Sequence, residues 1–346
     1  MFGRGVTLAA IGMNYLVTGG SGFIGSHLTD ALLDRGDSVT VLDNLSTGRA
    51  ENLRHSAQHP ALRIVTGSVL DELVVDELVH QCDVVVHLAA AVGVQLIVEQ
   101  PLRSLTTNIR GSEIVIGAAH RYRRKILVAS TSEIYGKNSG GPLAEDADRI
   151  LGSTSVSRWS YSTAKAVDEI LANAYYRERG LPTVVTRLFN TVGPRQSPAY
   201  GMVVPRLVRQ ALSGRPLTVF GDGTQSRCFV HVLDVVDALL RLLDEPLAVG
   251  QTFNIGSSDE VTILELAKTV IELTRSTSGV EMIPYHEAYA KGFEDMARRV
   301  PDSSRLRALT GWRPQRNLDD ILLDTITETM REMSRGRQCE AGIDAR

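Results

Sequence analysis

The sharpest chemical signal in the chain is Tyr161-Ser162-Thr163-Ala164-Lys165. On a helix, positions i and i+4 share a face, so the Lys165 ammonium can lie near the Tyr161 phenol. That cation, with the positive charge of an oxidised nicotinamide, favours phenolate and lowers a side-chain pKa that is ordinarily about 10. Tyr161 is then a candidate base for a hydroxyl proton. Nearer the N-terminus, Gly19-Gly20-Ser21-Gly22-Phe23-Ile24-Gly25 follows a short apolar run. Glycines placed there allow a tight strand-to-helix turn, close backbone approach to a pyrophosphate, and close helix–strand packing. The spacing satisfies both G-x-G-x-x-G (Gly20, Gly22, Gly25) and G-x-x-G-x-x-G (Gly19, Gly22, Gly25). Asp43 ends the next β-branched run. A carboxylate there accepts hydrogen bonds from the adenosine ribose and repels a 2′-phosphate, so the expected cofactor is NAD rather than NADP. Asn44, Ser46, Thr47 and Gly48 continue a loop that can cover the adenosine, and Leu88, Ala89 and Ala90 leave room for the nicotinamide ribose.

These groups need a scaffold, and the chain supplies one in a regular order. Runs at 15–18, 38–42, 63–65, 84–87 and 126–129 read as strands with amphipathic helical stretches between them. A helix over 160–179, stopped by Gly180-Leu181-Pro182, leads to a further strand at 183–189. Alternation of this kind predicts an α/β fold, a Rossmann-type doubly wound parallel sheet with both faces covered. Beyond Asn190 the pattern breaks into Gly/Pro-punctuated pieces. Helices are expected near 202–212, 233–243, 262–274 and 317–333, with strands near 217–220 and 253–255. The expected division is a disordered leader over 1–13, an NAD-binding domain over 14–190, a smaller substrate-binding lobe over 191–334 with segments returning to the main sheet, and a disordered tail over 335–346.

With 346 residues and a formal charge of -3, the chain can bury a sizeable core, and it carries no basic stripe for nucleic acid. Cys82, Cys228 and Cys339 have neither zinc-site spacing nor the density of a disulfide scaffold. No metal site is expected, and a reducing cytoplasm fits. No apolar run is long enough to span a bilayer.

Several longer segments carry a resemblance. They are Thr131-Ser132-Glu133, Tyr161 with Lys165, Arg187-Leu188-Phe189-Asn190-Thr191-Val192-Gly193-Pro194-Arg195, Pro216 through Gly223, Arg227-Cys228-Phe229 and Arg298-Arg299-Val300-Pro301-Asp302. Together they resemble the UDP-glucuronate decarboxylases, a nucleotide-sugar branch of the extended short-chain dehydrogenase/reductases, over about Asn14 to Leu323. The resemblance implies oxidation of the sugar at carbon 4, loss of CO2 from the keto acid, and hydride return from a tightly bound, recycled NAD. It assigns the hydroxyl beside Tyr161 to Thr131 or Ser132, promotion of decarboxylation to Glu133, and substrate binding or proton delivery to Arg227. Asn190, Arg227 and Arg299 become candidates for the diphosphate. Segments holding Val204, Arg206, Thr218 and Phe220 are expected to line the uridine pocket. Asn108 matches a structural asparagine of the superfamily. Ser68 departs from the family's usual Asp, leaving Ser68 or the backbone of Val69 to meet the adenine. The Ala90-Ala91-Val92-Gly93-Val94 segment departs from the Ser-Pro-rich segment of decarboxylases, and this keeps a UDP-sugar 4-epimerase in play. A 4,6-dehydratase fits less well, because its general acid is an Asp where this chain has Ser132. A non-catalytic NAD sensor would need neither Tyr161 nor Lys165. A homodimer joined through the 105–120 and 160–179 helices is the implied assembly.

Overall fold

A computed structural model describes residues 12–93, 100–138, 140–197, 202–284, 287, 296 and 298–343. Most of the expected leader lies outside the described residues.

Seven parallel strands form the central sheet in the order β3-β2-β1-β4-β5-β6-β11. They are β1 (Asn14–Thr18), β2 (Ser38–Asp43), β3 (Leu62–Thr66), β4 (Val84–His87), β5 (Lys125–Thr131), β6 (Thr183–Leu188) and β11 (Gln251–Ile255). Every strand expected from the sequence is present within a few residues of its expected bounds. The reason is physical: a parallel strand buried on both faces must be apolar nearly throughout, and such runs stand out. In β1, Leu16 sits opposite Thr40 and Val85 and packs on one side of the sheet, while Tyr15 and Val17 pack on the other.

Helix α1 (Phe23–Asp34) lays Leu28 and Leu32, both fully buried, against the Tyr15–Val17 face. Each such side chain contributes about 1.5–3 kcal/mol relative to exposure. The opposite face is covered by α2 (Glu72–Gln81), α4 (Gly111–Arg121) and α5 (Arg158–Arg179). Between α2 and α4 lie α3 (Pro101–Leu105) and a single π turn (Thr106–Arg110). Gly180 takes the left-handed conformation, φ 67°, and ends α5 where the sequence predicts its stop.

Strand order reverses between β1 and β4, because the chain runs outward from β1 to β3 and then crosses to β4. Their C-terminal ends diverge, and ligands enter such sheets at that crevice. The glycine run follows β1 and Leu88-Ala89-Ala90 follows β4, so both open on it.

A second apolar core belongs to the later chain: α6 (Val203–Leu212), α8 (Ile263–Thr274), α10 (Leu318–Ile343) and the parallel pair β8 (Leu217–Phe220) with β13 (Val280–Ile283). Helices α7 (Val232–Asp244) and α9 (Ser304–Thr310) and strand β11 pack instead with the main sheet. Helix α10 runs to Ile343, through the described part of the tail expected over 335–346. Arg, Gln, Glu and Ala favour helix, and no proline stops the run. Among the described residues no helix is long and apolar enough to cross a membrane.

Candidate functional site

A cavity of about 290 Å³ opens at the β1/β4 crevice. Its lining includes Gly19, Gly22, Phe23, Ile24, Gly25, Asp43, Asn44, Ser46, Thr47, Val69, Leu88, Ala89, Ala90, Thr131, Tyr161 and Lys165. Residues far apart in the chain therefore meet where the sequence places a cofactor. Gly19 has φ 73°, and a Cβ on Gly25 would lie 2.2 Å from the Gly19 carbonyl oxygen, so this turn closes only with glycine. The result is a cradle bounded by backbone at the N-terminus of α1, which suits a pyrophosphate. Asp43 is buried, and its two carboxylate oxygens accept from Ser21 N (3.0 Å) and Leu45 N (2.8 Å). Burial still leaves its pKa above the usual carboxylate value, with the two amides opposing. Gly48 stands behind this carboxylate, where a Cβ would come within 2.8 Å of it. The residues present fit a dinucleotide.

Ser68 and Val69 separate here. Val69 lines the cavity, whereas the Ser68 hydroxyl accepts from Leu70 N (3.2 Å) and shapes the turn before α2. Asn108, in the π turn, clamps Ala91 from both sides: its Oδ1 accepts from Ala91 N (2.7 Å) and its Nδ2 donates to Ala91 O (3.1 Å). It fixes the end of the β4 loop, a supporting role as expected. Sequence reasoning passed over Val92, Thr107, Ser130, Leu188, Gln196 and Ser197 as ligand contacts; they also line the cavity, as does Met202 from the segment expected to meet uridine.

Tyr161 and Lys165 share a face of α5 and both reach the cavity. The electrostatics differ from expectation. Burial, then the negative charges of Glu133 and Asp168, push the Tyr161 phenol well above its ordinary value. The Lys165 ammonium is drawn into the protein, donating to Ala129 O (3.0 Å) and to Asp168 Oδ2 (3.1 Å). The lysine charge is thus matched by a carboxylate. The protein alone does not make this phenol acidic.

At the Tyr161 end a charged cluster replaces the glycine cradle. Thr131 starts a short turn (Ser132–Tyr135), its hydroxyl accepting from Glu133 N (3.2 Å). Thr131 lines the cavity; Ser132 is 2% exposed and lies outside that lining. Glu133 pairs with Arg158 (3.1 Å) and more loosely with Arg299 (3.9 Å). Arg299 in turn donates to Asn190 Oδ1 (2.8 Å), and Asn190 Nδ2 donates to Cys228 O (2.9 Å). Asn190 thus holds Arg299 in place and keeps one Nδ2 hydrogen beyond its bond to Cys228 O. Arg227, on β9 (Ser226–Cys228), is half-buried and donates to Ser226 O (2.7 Å).

The expected uridine residues divide. Val204 is 1% exposed in the second core beside Leu207 and Val208, so its assignment to a ligand pocket is corrected: the apolar face of α6 packs inward. Arg206 stacks its guanidinium 4.0 Å from the Phe220 ring centroid and donates to Thr218 O (3.2 Å). Thr218 N and Oγ1 both bond Gln210 (3.1 and 3.0 Å). These three sit together, outside the cavity lining.

Two residues of the site were invisible in the sequence. Arg158 looks like any cation near a helix start, and Asp168 like a solvated helical carboxylate; they are 5% and 0% exposed. The one available signal was spacing: Asp168 falls three positions after Lys165, on the same helical face. Among the described residues no group of His, Cys, Asp and Glu could hold a metal ion.

Comparison with known proteins agrees with this geometry. The model of the NAD dependent epimerase/dehydratase family matches residues 15–256. A UDP-N-acetyl-alpha-D-glucosaminuronate decarboxylase from Bacillus cytotoxicus is 41% identical, across 90% of this chain and 96% of that protein. UDP-glucuronic acid decarboxylase 1 from Danio rerio is 35% identical, across 92% of this chain and 73% of that protein. Among solved structures, UDP-glucose 4-epimerase with UDP-glucose from Thermotoga maritima superposes with a TM-score of 0.84 at 32% identity, covering 93% of this chain and 100% of that one.

Proposed function

The chain belongs to the NAD dependent epimerase/dehydratase family, and from that premise we propose that it converts UDP-glucuronate to UDP-xylose and CO2. The observation that carries the reading is Glu133, held by Arg158 and Arg299 within the field of Tyr161. The curated decarboxylase relatives support it, since they match across most of the chain. When bound in the glycine cradle, NAD supplies a hydride acceptor and donor for carbon 4 of the sugar. Tyr161 takes the proton of the 4-hydroxyl, leaving a ketone β to the carboxylate. The electrons of the bond to the carboxyl carbon move into that carbonyl as CO2 departs. The donor on Thr131 stabilises the enolate formed. After carbon 5 is protonated, Tyr161 returns its proton to the 4-oxygen as carbon 4 regains its hydride, so the cofactor would end in its starting state and stay bound. Glu133 has arginine partners already in place, and a uronate carboxylate arriving there competes for the same guanidinium groups.

The test is a product assay on UDP-glucuronate with NAD. UDP-xylose and CO2 are expected; UDP-galacturonate alone would make the protein a 4-epimerase, and a keto-pentose would mean early release of the intermediate. A second reading, the 2-acetamido uronate as preferred substrate, is favoured by the 41% identical relative. Competition between the two UDP-uronates decides it.

The assembly we favour is a homodimer joined through α4 and α5, since Val167 and Ile170 expose 37% and 61% of their surface on α5. Light scattering on Ile170→Asp, expected to give a monomer, checks this. Buried, unpaired Cys82 and Cys228 suit a cytoplasmic setting.

A further inference from the structure

Behind Lys165 lies a run of buried polar groups that the reaction above does not use. Asp168, Lys165, His87, Ser112 and Thr18 are each at most 2% exposed. Asp168 Oδ2 accepts from Lys165 Nζ at 3.1 Å. Burial raises the pKa of that carboxylate, and Lys165 and then Ser112, on α4, oppose the rise. Ser112 Oγ lies 3.0 Å from His87 Nε2, and His87 Nδ1 lies 2.8 Å from Thr18 Oγ1. Ala89 N donates to Thr18 Oγ1 (3.3 Å), and Leu88 N donates to Thr18 O (3.1 Å). Leu88 and Ala89 line the cofactor cavity. The run therefore joins the lysine to the cavity floor through β1, β4 and α4.

Donor arithmetic gives the run a direction. Ala89 N–H can only donate, which frees the Thr18 hydroxyl to donate to His87 Nδ1. His87 Nε2–H then donates to Ser112, which leaves the Ser112 hydroxyl hydrogen directed to the electrostatic neighbour Asp168. This is the tautomer that turns a hydroxyl hydrogen, rather than a lone pair, toward the buried carboxylate. Burial holds His87 neutral, with a pKa pushed down to about 3. Asp168, paired with Lys165, is thus the acceptor on which the run ends.

We propose that Asp168 is a positioning residue for the reaction: with Ala129 O it fixes the Lys165 ammonium, and through Ser112, His87 and Thr18 it locks that ammonium to the floor of the cofactor cavity. This rests on the assignment of Tyr161 and Lys165 made above. An ammonium has three N–H donors. Two are taken by Ala129 O and Asp168, and the third has no partner among the described residues, leaving it for the cavity that Lys165 lines. Stability does not explain the arrangement, because a buried ion pair returns little net stability and Asp168 Oδ1 lacks a full hydrogen bond. The carboxylate also screens Tyr161 from the lysine. The charged groups facing this region are Glu133 from the turn after β5, Lys165 and Asp168 from α5, and Glu169, which is paired to Arg187 from β6.

The experiment titrates the Tyr161 phenol in the purified protein–NAD complex without sugar. The signal is the near-ultraviolet phenolate absorbance, with the matching Tyr161→Phe protein as blank. In Asp168→Asn the lysine charge is no longer balanced, and the midpoint is expected to fall by about one pH unit, a tenfold change in the ratio of ionised to neutral phenol. Ser112→Ala, which weakens the hold on the carboxylate, is expected to move it the same way by less. An unchanged midpoint in a folded Asp168→Asn protein overturns the proposal, even if its melting temperature falls. Should that variant not fold, an unchanged midpoint in Ser112→Ala overturns it instead. Because no sugar is present, failure of the product assay would sink the decarboxylase reading without touching this result.

Discussion

The two ends of the site are built by different means. At the cofactor end, Gly19–Gly25, Asp43 and Leu88–Ala90 sit on short loops after adjacent parallel strands, and backbone geometry sets nearly every contact. At the Tyr161 end, where we propose the sugar binds, Glu133, Arg158, Asn190 and Arg299 come from four distant segments and are joined at 3.1, 3.9 and 2.8 Å. A rigid cradle recognises a shape that does not change during a reaction. A cluster of paired charges can answer a substrate whose own charge changes, as when a carboxylate leaves as CO2. Tyr161 stands at the junction, facing the cavity while feeling Glu133.

That division can be broken most decisively at the junction. Tyr161→Phe is expected to lower turnover of UDP-glucuronate by roughly 10²–10⁴-fold, the usual contribution of a general base. NAD affinity, measured by calorimetry, should be unchanged; a parallel loss of affinity would mean that the two ends are one unit. Next in size is Glu133→Gln, which leaves Arg158 and Arg299 without their carboxylate. CO2 release is expected to slow by about 10²-fold while the first appearance of NADH slows by less. Equal slowing of both steps would remove the special role of Glu133. On the cofactor side, Asp43→Asn should weaken NAD binding about tenfold, the worth of one charged hydrogen bond, and narrow the preference over NADP, with kcat little changed.

The same division explains what could be read in the sequence. The cofactor end was legible because its determinants are local: a glycine run, an acidic residue closing the next strand, and small residues closing β4. Tyr161 and Lys165 were legible for the same reason, one helical turn apart. Arg158 and Asp168 were not, because burial is what gives them meaning and nothing in their neighbours announces it. Val204 misled in the opposite sense. It lies in a segment assigned to uridine, yet the amphipathic pattern of α6 points it into the second core. Strands β7 (Thr191–Val192), β9 and β10 (Val230–His231) are two or three residues long. Such strands exist through pairing across the fold, as Val230 with Thr191, and have no periodicity of their own to detect.

The smallest expected effect concerns the frame of the cofactor end. His87, at the end of β4, is buried between Thr18 and Ser112, and burial depresses its pKa from 6.5 to about 3. Below about pH 6.5 the unfolded chain takes up a proton that the folded chain refuses until about pH 3, so acid favours unfolding. The stability held by neutral His87 is complete above the unfolded value and is lost as the pH falls toward the folded one. Between pH 6.5 and about pH 5 the loss is on the order of 1–2 kcal/mol. His27 on α1, with its pKa lowered to about 4 by burial, acts in the same sense. Urea denaturation across this range should show His87→Gln to be less stable than the parent at neutral pH yet flatter in its pH dependence. Parallel curves for the two proteins would place the acid sensitivity elsewhere and remove His87 from the frame that supports the cradle.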